Sequence, residues 1–511
     1  MNDKSLEKWK LLHDIQQQRA ESGKLVAGVA AVCNTDLFKT TRLNLPKAKR
    51  WMAAHLSRES KSRPQCILKQ AASYLSKPGI VSLGGGLPSS ECFLFCSWTL
   101  SVPTPPHFVE KDNSITNPPA TQAITIGKHD LNADVSEYDL SIALNYCQAT
   151  GSPQMMRFIT KHTELVFNPP YQDWKMCLTV GSTGALGQAI RMLCDRHRGD
   201  TVLTEEFTFA TALETLVPQG IKPVAVPMDE EGLIPDALDA ILNGWNEKVR
   251  GARKPHVLYT IPSQQNPTGA TQSLHRRRNI YTVCHRHDVY IIEDDPYYFL
   301  QMPPYREAGN DGKFYEDVGS FLARLIPSYV SLDVDGRVLR LDSFSKVLIP
   351  GSRLGWITAS AQIVERYIRH AEVSNQGPSG GHESYIKWLI KLKAEYTRRR
   401  NMLLAACERS LPRSVVSWSP PATGMFLWLK LDHHKHPQYP SQPADMIEGE
   451  VFDRAIRKGV LCARGSWFRA EPDTPTSGMF FRMTFASAGE ETISVAIERL
   501  GEALRESFRL E

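Results

Sequence analysis

From residue 177 to residue 360 the sequence alternates between short apolar runs and longer amphipathic stretches, an order that few folds accept. CLTV is followed by GALGQAIRMLCDRH, TVLTE by FATALETLV, KPVAVPM by IPDALDAIL and HVLYTIP by SLHRRRNIYTVCHRH; then come VYIIEDD, RVLRLDSFS and LGWITAS. Strands without a polar face, separated by helices with one apolar stripe, predict an α/β fold with a mostly parallel sheet covered on both sides. After about residue 372 the order becomes a long helix, the strand-like runs SVVSW, MFLWLKL and FFRMTFA, and a closing helix, which predicts an α+β domain. Residues 1–64 are polar and basic with one helical stretch and read as an arm. The segments 97–135, with Pro103, Pro105, Pro106, Pro118 and Pro119, and 302–336 read as irregular insertions.

A chain of 511 residues is too long for one small core. Its 42% hydrophobic and 23% charged residues are those of a soluble globular protein. The net charge of +5 comes partly from His275-Arg276-Arg277-Arg278 and Arg398-Arg399-Arg400, which read as solvated helix faces, so no nucleic acid partner is expected. None of the ten cysteines forms a C-x-x-C pair, and His433, His434 and His436 lie in a polar, Pro-flanked stretch that reads as a surface loop. No metal is expected. The first 25 residues carry Asp3, Glu7, Asp14 and Glu21, unlike a transit peptide, and no run is long enough to span a bilayer. A cytoplasmic protein with no membrane partner is the expectation.

Open parallel sheets bind ligands beyond the carboxyl ends of their strands, so the residues there are read together. VGSTGAL, 180–186, is a small-residue turn opening a helix, where backbone N–H groups and the hydroxyls of Ser182 and Thr183 suit a phosphate. SQQNPTG carries Asn266; by itself it is also a plain turn. VYIIEDDPYY brings Asp294 and Tyr297 to the end of an apolar strand, and LRLDSFSK brings Ser343, Ser345 and Lys346, with Arg353 after it. A buried lysine is costly unless it is paired or chemically changed. An anion cradle, a carboxylate, a phenol and such a lysine suit one ligand: a phosphate ester with a basic ring nitrogen and an aldehyde. Pyridoxal 5′-phosphate has all three.

The motifs S-x-S-K-x-x-x-x-G-x-R-x-G, NPTG, E-D-D-P-Y-Y and F-R-M-T-F resemble the signature set of the fold-type I, class I aminotransferases, and most of all the kynurenine/2-aminoadipate and fungal aromatic amino acid branch. The resemblance runs from about residue 64 to the end. It implies a PLP-dependent transferase with a seven-stranded sheet in its large domain. It also implies an arm at 1–64, the first part of the small domain with a Pro-rich insertion at 65–130, a large cofactor domain at 131–372 and the rest of the small domain at 373–511. The implied reaction is ping-pong transfer of an amino group from an aromatic amino acid, or a 2-aminoadipate or kynurenine-like donor, to a 2-oxo acid such as 2-oxoglutarate.

Carried over by position, the resemblance makes Lys346 the covalent anchor of the cofactor and the proton carrier, Asp294 the partner of the ring nitrogen, and Asn266 and Tyr297 the holders of the ring oxygen. Ser182, Thr183, Ser343, Ser345 and Arg353 would hold the phosphate. Phe209 would stack on the ring, its alternative being a core residue of a helix face, and Arg482 would clamp the substrate α-carboxylate, its alternative being a strand-edge salt bridge. Gly85 or Gly86 in VSLGGGLPSS would approach the substrate. Tyr146 in ALNYCQATGSP would reach the phosphate of a neighbouring subunit, which implies a homodimer with shared sites.

Three other readings stay open. GSTGALG with Glu205 and Glu206 loosely imitates a dinucleotide fingerprint, but its spacing is G-x-x-G-x-x-G and Lys346 goes unexplained. An aminotransferase-like transcription regulator would use the basic segment Lys47 to Arg63, which lacks a helix-turn-helix pattern. The same cofactor also serves decarboxylases, lyases and biosynthetic condensations.

Overall fold

The apolar runs become strands because their side chains find cover on both faces. A computed structural model describes residues 3–22, 25, 28, 31–40, 45–48, 55–66, 89–103, 121–133, 136, 138–305, 317–374, 385–471, 474, 478–486 and 490–510. Its strands are β1 (Ser97–Pro103), β2 (Thr121–Gly127), β3 (Trp174–Thr179), β4 (Thr201–Glu205), β5 (Lys222–Val226), β6 (Met228–Asp229), β7 (Gly232–Leu233), β8 (Val257–Thr260), β9 (Tyr290–Asp294), β10 (Val338–Ser343), β11 (Gly355–Ser360), β12 (Val416–Trp418), β13 (Phe426–Leu431), β14 (Ala463–Arg464) and β15 (Met479–Thr484). The chain divides into two compact units, Met1–Cys194 with Glu316–Lys391, and Asp195–Tyr315 with Leu392–Glu511.

A seven-stranded mixed sheet takes β3, β11 and β10, in that order, from the first unit, and β9, β8, β4 and β5, in that order, from the second. In the second unit β9, β8, β4 and β5 pair in parallel. In the first, β11 runs antiparallel to both β10 and β3. Every residue of β4, β8, β9, β10 and β11 is buried, which is why these runs show no polar alternation. β5, at the end of the order, does alternate. The buried Arg340 of β10 is paired: it lies over the Phe167 ring at 4.1 Å and donates to Asp342, two residues along on the same face, at 2.9 Å.

The helix Gly181–Leu193 buries Ala185, Leu186, Ala189, Ile190 and Leu193 and packs against β10 and β11. In the second unit, β12, β13, β15 and β14 form an antiparallel sheet in that order. The helices Ala444–Arg457 and Glu490–Phe508 pack on each other beside it.

Several expectations change, and Arg277 and Arg400, read as parts of solvated helix faces, are fully buried. The segment 97–135 is not irregular throughout, because β1 and β2 pair as an antiparallel ladder from Ser97↔Gly127 to Pro103↔Thr121. The segment 302–336 contains the helices Val318–Arg324 and Tyr329–Leu332. The histidine stretch is a short 3₁₀ turn, and His433 and His436 are buried rather than on the surface. The arm carries the expected helix, Asp3–Glu21, docked on the helix Val318–Arg324 by a 2.8 Å hydrogen bond from Trp9 Nε1 to Asp317 Oδ1. Among the described residues no helix is long and apolar enough to cross a membrane.

Candidate active site

The strand ends carry two clusters of polar side chains, one in each unit. In the first, β3 leads through Val180 into the helix Gly181–Leu193, whose start has no side-chain cap. Its first N–H groups therefore lack intrahelical or capping partners and favour an anion. Ser182 is half-exposed and Thr183 exposed on this turn. Gly181 has φ +70°, and a Cβ there would lie 2.8 Å from Arg353 Nη2, so only glycine leaves the guanidinium its place.

β10 ends at Ser343, whose hydroxyl donates to Ser345 Oγ at 2.9 Å and accepts from the Ser345 N–H at 3.1 Å. Lys346 follows, half-buried in the turn. Arg353, exposed, donates to the Pro350 carbonyl at 3.1 Å and reaches Ser345 Oγ at 3.4 Å. Its φ of +50° is a left-handed conformation that costs a side-chain-bearing residue roughly 1–2 kcal/mol. Gly355 opens β11, and a Cβ there would meet the Asp342 carbonyl oxygen at 2.4 Å. The cluster is thus a guanidinium, hydroxyls and an uncapped helix start, with a lysine beside them.

In the second unit, β9 ends at Asp294, which is buried and accepts a hydrogen bond from the Tyr259 hydroxyl of β8 at 2.9 Å. Tyr297 is buried three residues on; burial, and next the Asp294 charge, push its phenol above the ordinary tyrosine range. Asn266, also buried, accepts at Oδ1 from Arg482 Nη1 at 2.8 Å. Arg482 stands on β15, opposite Trp428 of β13 and Ala463 of β14. Its guanidinium lies between the rings of Phe426 and Phe468, 4.4 and 4.7 Å from their centroids. β15 is an inner strand, so Arg482 is no strand-edge residue, and among the described residues no carboxylate pairs with it. Burial lowers its pKa. Phe209 sits half-buried at the start of the helix Ala210–Leu216 and is not a core residue of a helix face.

Sequence reasoning named Asp294, Asn266, Tyr297 and Arg482 but missed the groups behind them. Tyr259 and Glu205 are two. Glu205, fully buried at the end of β4, accepts from the Ile261 N–H at 3.1 Å and from the Thr260 hydroxyl at 2.5 Å. Burial pushes its carboxyl up to about 7. Asp295 accepts from Ser263 Oγ at 2.9 Å, and the same hydroxyl receives a 2.9 Å bond from Arg277 Nη2. The available signal was a polar residue inside an apolar strand, Tyr259 in HVLYTIP and Glu205 in TVLTE. Gly85 and Gly86 lie outside the described residues. Tyr146 is described, with its ring exposed.

The chain matches the family model for aminotransferase class I and II over residues 144–500. It belongs to that family. An aromatic amino acid aminotransferase of Schizosaccharomyces pombe is 40% identical over 478 residues, 90% of this chain and 98% of the relative. An L-tyrosine:2-oxoglutarate aminotransferase of Tapinella panuoides is 34% identical over 450 residues, 83% of each chain. The crystal structure of the aminotransferase Aro8 from Candida albicans superposes with a TM-score of 0.83 at 40% identity, covering 91% of this chain and all of that one. The protein is a fold-type I aminotransferase, and its cofactor is pyridoxal phosphate. The side chains present suit that group: a cationic, hydroxyl-lined cradle fits a phosphate dianion, and a buried carboxylate beside a phenol and an amide fits a protonated ring nitrogen and a ring oxygen.

Proposed function

We propose that the protein moves the amino group of an aromatic amino acid, or of a 2-aminoadipate or kynurenine-like donor, to a 2-oxo acid such as 2-oxoglutarate, in a ping-pong cycle. The relatives act on such substrates by name. The observation that carries the proposal is Arg482: a planar guanidinium fixed by two rings and one amide oxygen, with no carboxylate partner among the described residues, is prepared for the bidentate α-carboxylate of an amino acid.

Pyridoxal phosphate supplies an aldehyde for amine exchange and a ring that accepts the electron pair left when a substrate Cα loses its proton. Lys346 would anchor it and would carry a proton to and from the substrate Cα. Asp294 holds the ring nitrogen protonated, since a buried carboxylate favours a neighbouring cation. Asn266 and Tyr297 would hold the ring oxygen, and Phe209 would cover the ring. Ser182, Thr183, Ser343, Ser345 and Arg353 bind the phosphate. Gly85 or Gly86 lies along the substrate backbone. Tyr146 serves the phosphate of a partner subunit in a homodimer, a role its exposed ring supports. The enzyme works in the cytoplasm.

Single-turnover loss of the bound cofactor's visible absorption, measured with a panel of amino donors, tests the substrate class. Tyrosine, phenylalanine, kynurenine and 2-aminoadipate should discharge the holoenzyme faster than alanine or aspartate, and 2-oxoglutarate should restore the band. The reverse order of donors rejects the proposed donor class.

A further inference from the structure

We propose that Tyr259 is a positioning residue for the reaction, holding the Asp294 carboxylate in the orientation from which it serves the cofactor ring; the inference rests on the role given above to Asp294. Its basis is geometric. Tyr259 and Asp294 stand on the neighbouring parallel strands β8 and β9, where Tyr259 pairs with Ile292 and Asp294 comes two residues later. The tyrosine is 1% exposed and the aspartate 4%, and the hydroxyl donates to Oδ2 at 2.9 Å. A carboxylate at a strand end can rotate about its last side-chain bond. One directed hydrogen bond to Oδ2 fixes the carboxylate plane, and rigid strands on both sides fix the donor.

The surroundings of the pair support a dedicated role. Among the charged and titratable groups around it, Glu205 at the end of β4 and Tyr297 in the turn after β9 act on Tyr259, while Asp295, Tyr396 and Arg482 of β15 act on Tyr297. Burial and then the Asp294 charge hold the Tyr259 phenol far above its ordinary range, so it stays protonated and remains a donor throughout the working pH. A donor aimed at one oxygen also stabilises the ionised form of a buried acid. Phenylalanine would fill the same space without either effect.

The test compares holoenzymes carrying a ring-¹⁵N-labelled cofactor. Asp294→Asn should shift the nitrogen resonance toward the unprotonated position, and Tyr259→Phe should shift it part of the way. In the same preparations Tyr259→Phe should lower kcat by about tenfold to a hundredfold, the scale of a lost hydrogen bond to a charged group, with KM little changed. Tyr367→Phe, which removes another buried hydroxyl, one that lies by Cys177 of β3, should change neither reading. A resonance left unmoved by Tyr259→Phe but moved by Asp294→Asn overturns the proposal alone. A resonance unmoved by Asp294→Asn overturns the role of Asp294 itself. If Tyr259→Phe does not fold or load cofactor, 3-fluorotyrosine at position 259 keeps the packing and strengthens the donor. It must then displace the nitrogen resonance from its wild-type position, and an unchanged resonance rejects the proposal.

Discussion

The two clusters differ in how their polar groups are satisfied. In the first unit Arg353 and Thr183 are exposed, Ser182 is half-exposed, and the helix start has no cap. In the second, Asp294, Tyr259, Tyr297 and Asn266 are all buried, and the bonds at Asp294 and Asn266 are 2.8 to 2.9 Å long. Donors left to water can exchange it for a ligand's oxygens at small cost, which suits a group that binds a phosphate. Groups fixed in a dry interior keep their directions and tune a reaction without reorganising. Variants in the exposed cluster should therefore act on cofactor affinity, and variants in the buried one on rate.

Lys346→Ala breaks that division most severely. It removes the proposed anchor and proton carrier, so turnover should fall below detection at any cofactor concentration, and borohydride should no longer fix the cofactor to the chain. Arg482→Lys tests the buried side. A compact ammonium loses the planar fork and the contacts with Phe426 and Phe468, so kcat/KM for amino acids should fall by about 1.5–3 kcal/mol. Amines without an α-carboxylate should keep their rates, and an equal loss for them would mark Arg482 as structural. Arg353→Ala tests the exposed side: cofactor affinity should fall by a similar or smaller amount, and saturating cofactor should restore most of kcat. A kcat defect that excess cofactor does not repair would erase the proposed contrast.

The smallest effect is in stability and concerns Glu205. Its carboxyl is raised from the ordinary 4.5 to about 7 by burial, so the folded protein holds a proton that the unfolded chain releases. That contribution is complete below pH 4.5 and is lost as pH rises through 7. Glu205→Gln should flatten this part of the dependence of Tm on pH, a change of about a few degrees. An unaltered slope would place the proton elsewhere.

The sheet was legible because a strand buried on both faces leaves a continuous apolar run, as in VYIIED and VLYT, and the cluster residues were legible because the strand ends follow from those runs. The ladder of β1 and β2 was not read, although Trp98, Leu100 and Val102 alternate with Ser97, Thr99 and Ser101. The prolines at 103, 105 and 106 suggested a loop, yet Pro103 only ends the ladder. Tyr259 could not be assigned a partner from sequence, since its relation to Asp294 depends on the register of β8 against β9. The contact of Asn266 with Arg482 joins positions 216 residues apart, a distance no local pattern encodes.

The glycines at 181 and 355 would make different mutant alleles. An alanine methyl at 181 presses on the movable tip of Arg353, while at 355 it strikes a carbonyl of the neighbouring strand, which cannot yield. The first lesion, besides the strain of its positive φ, should therefore weaken the proposed grip on the cofactor's phosphate, a loss that excess pyridoxal phosphate relieves. The second should give a protein that added cofactor does not rescue.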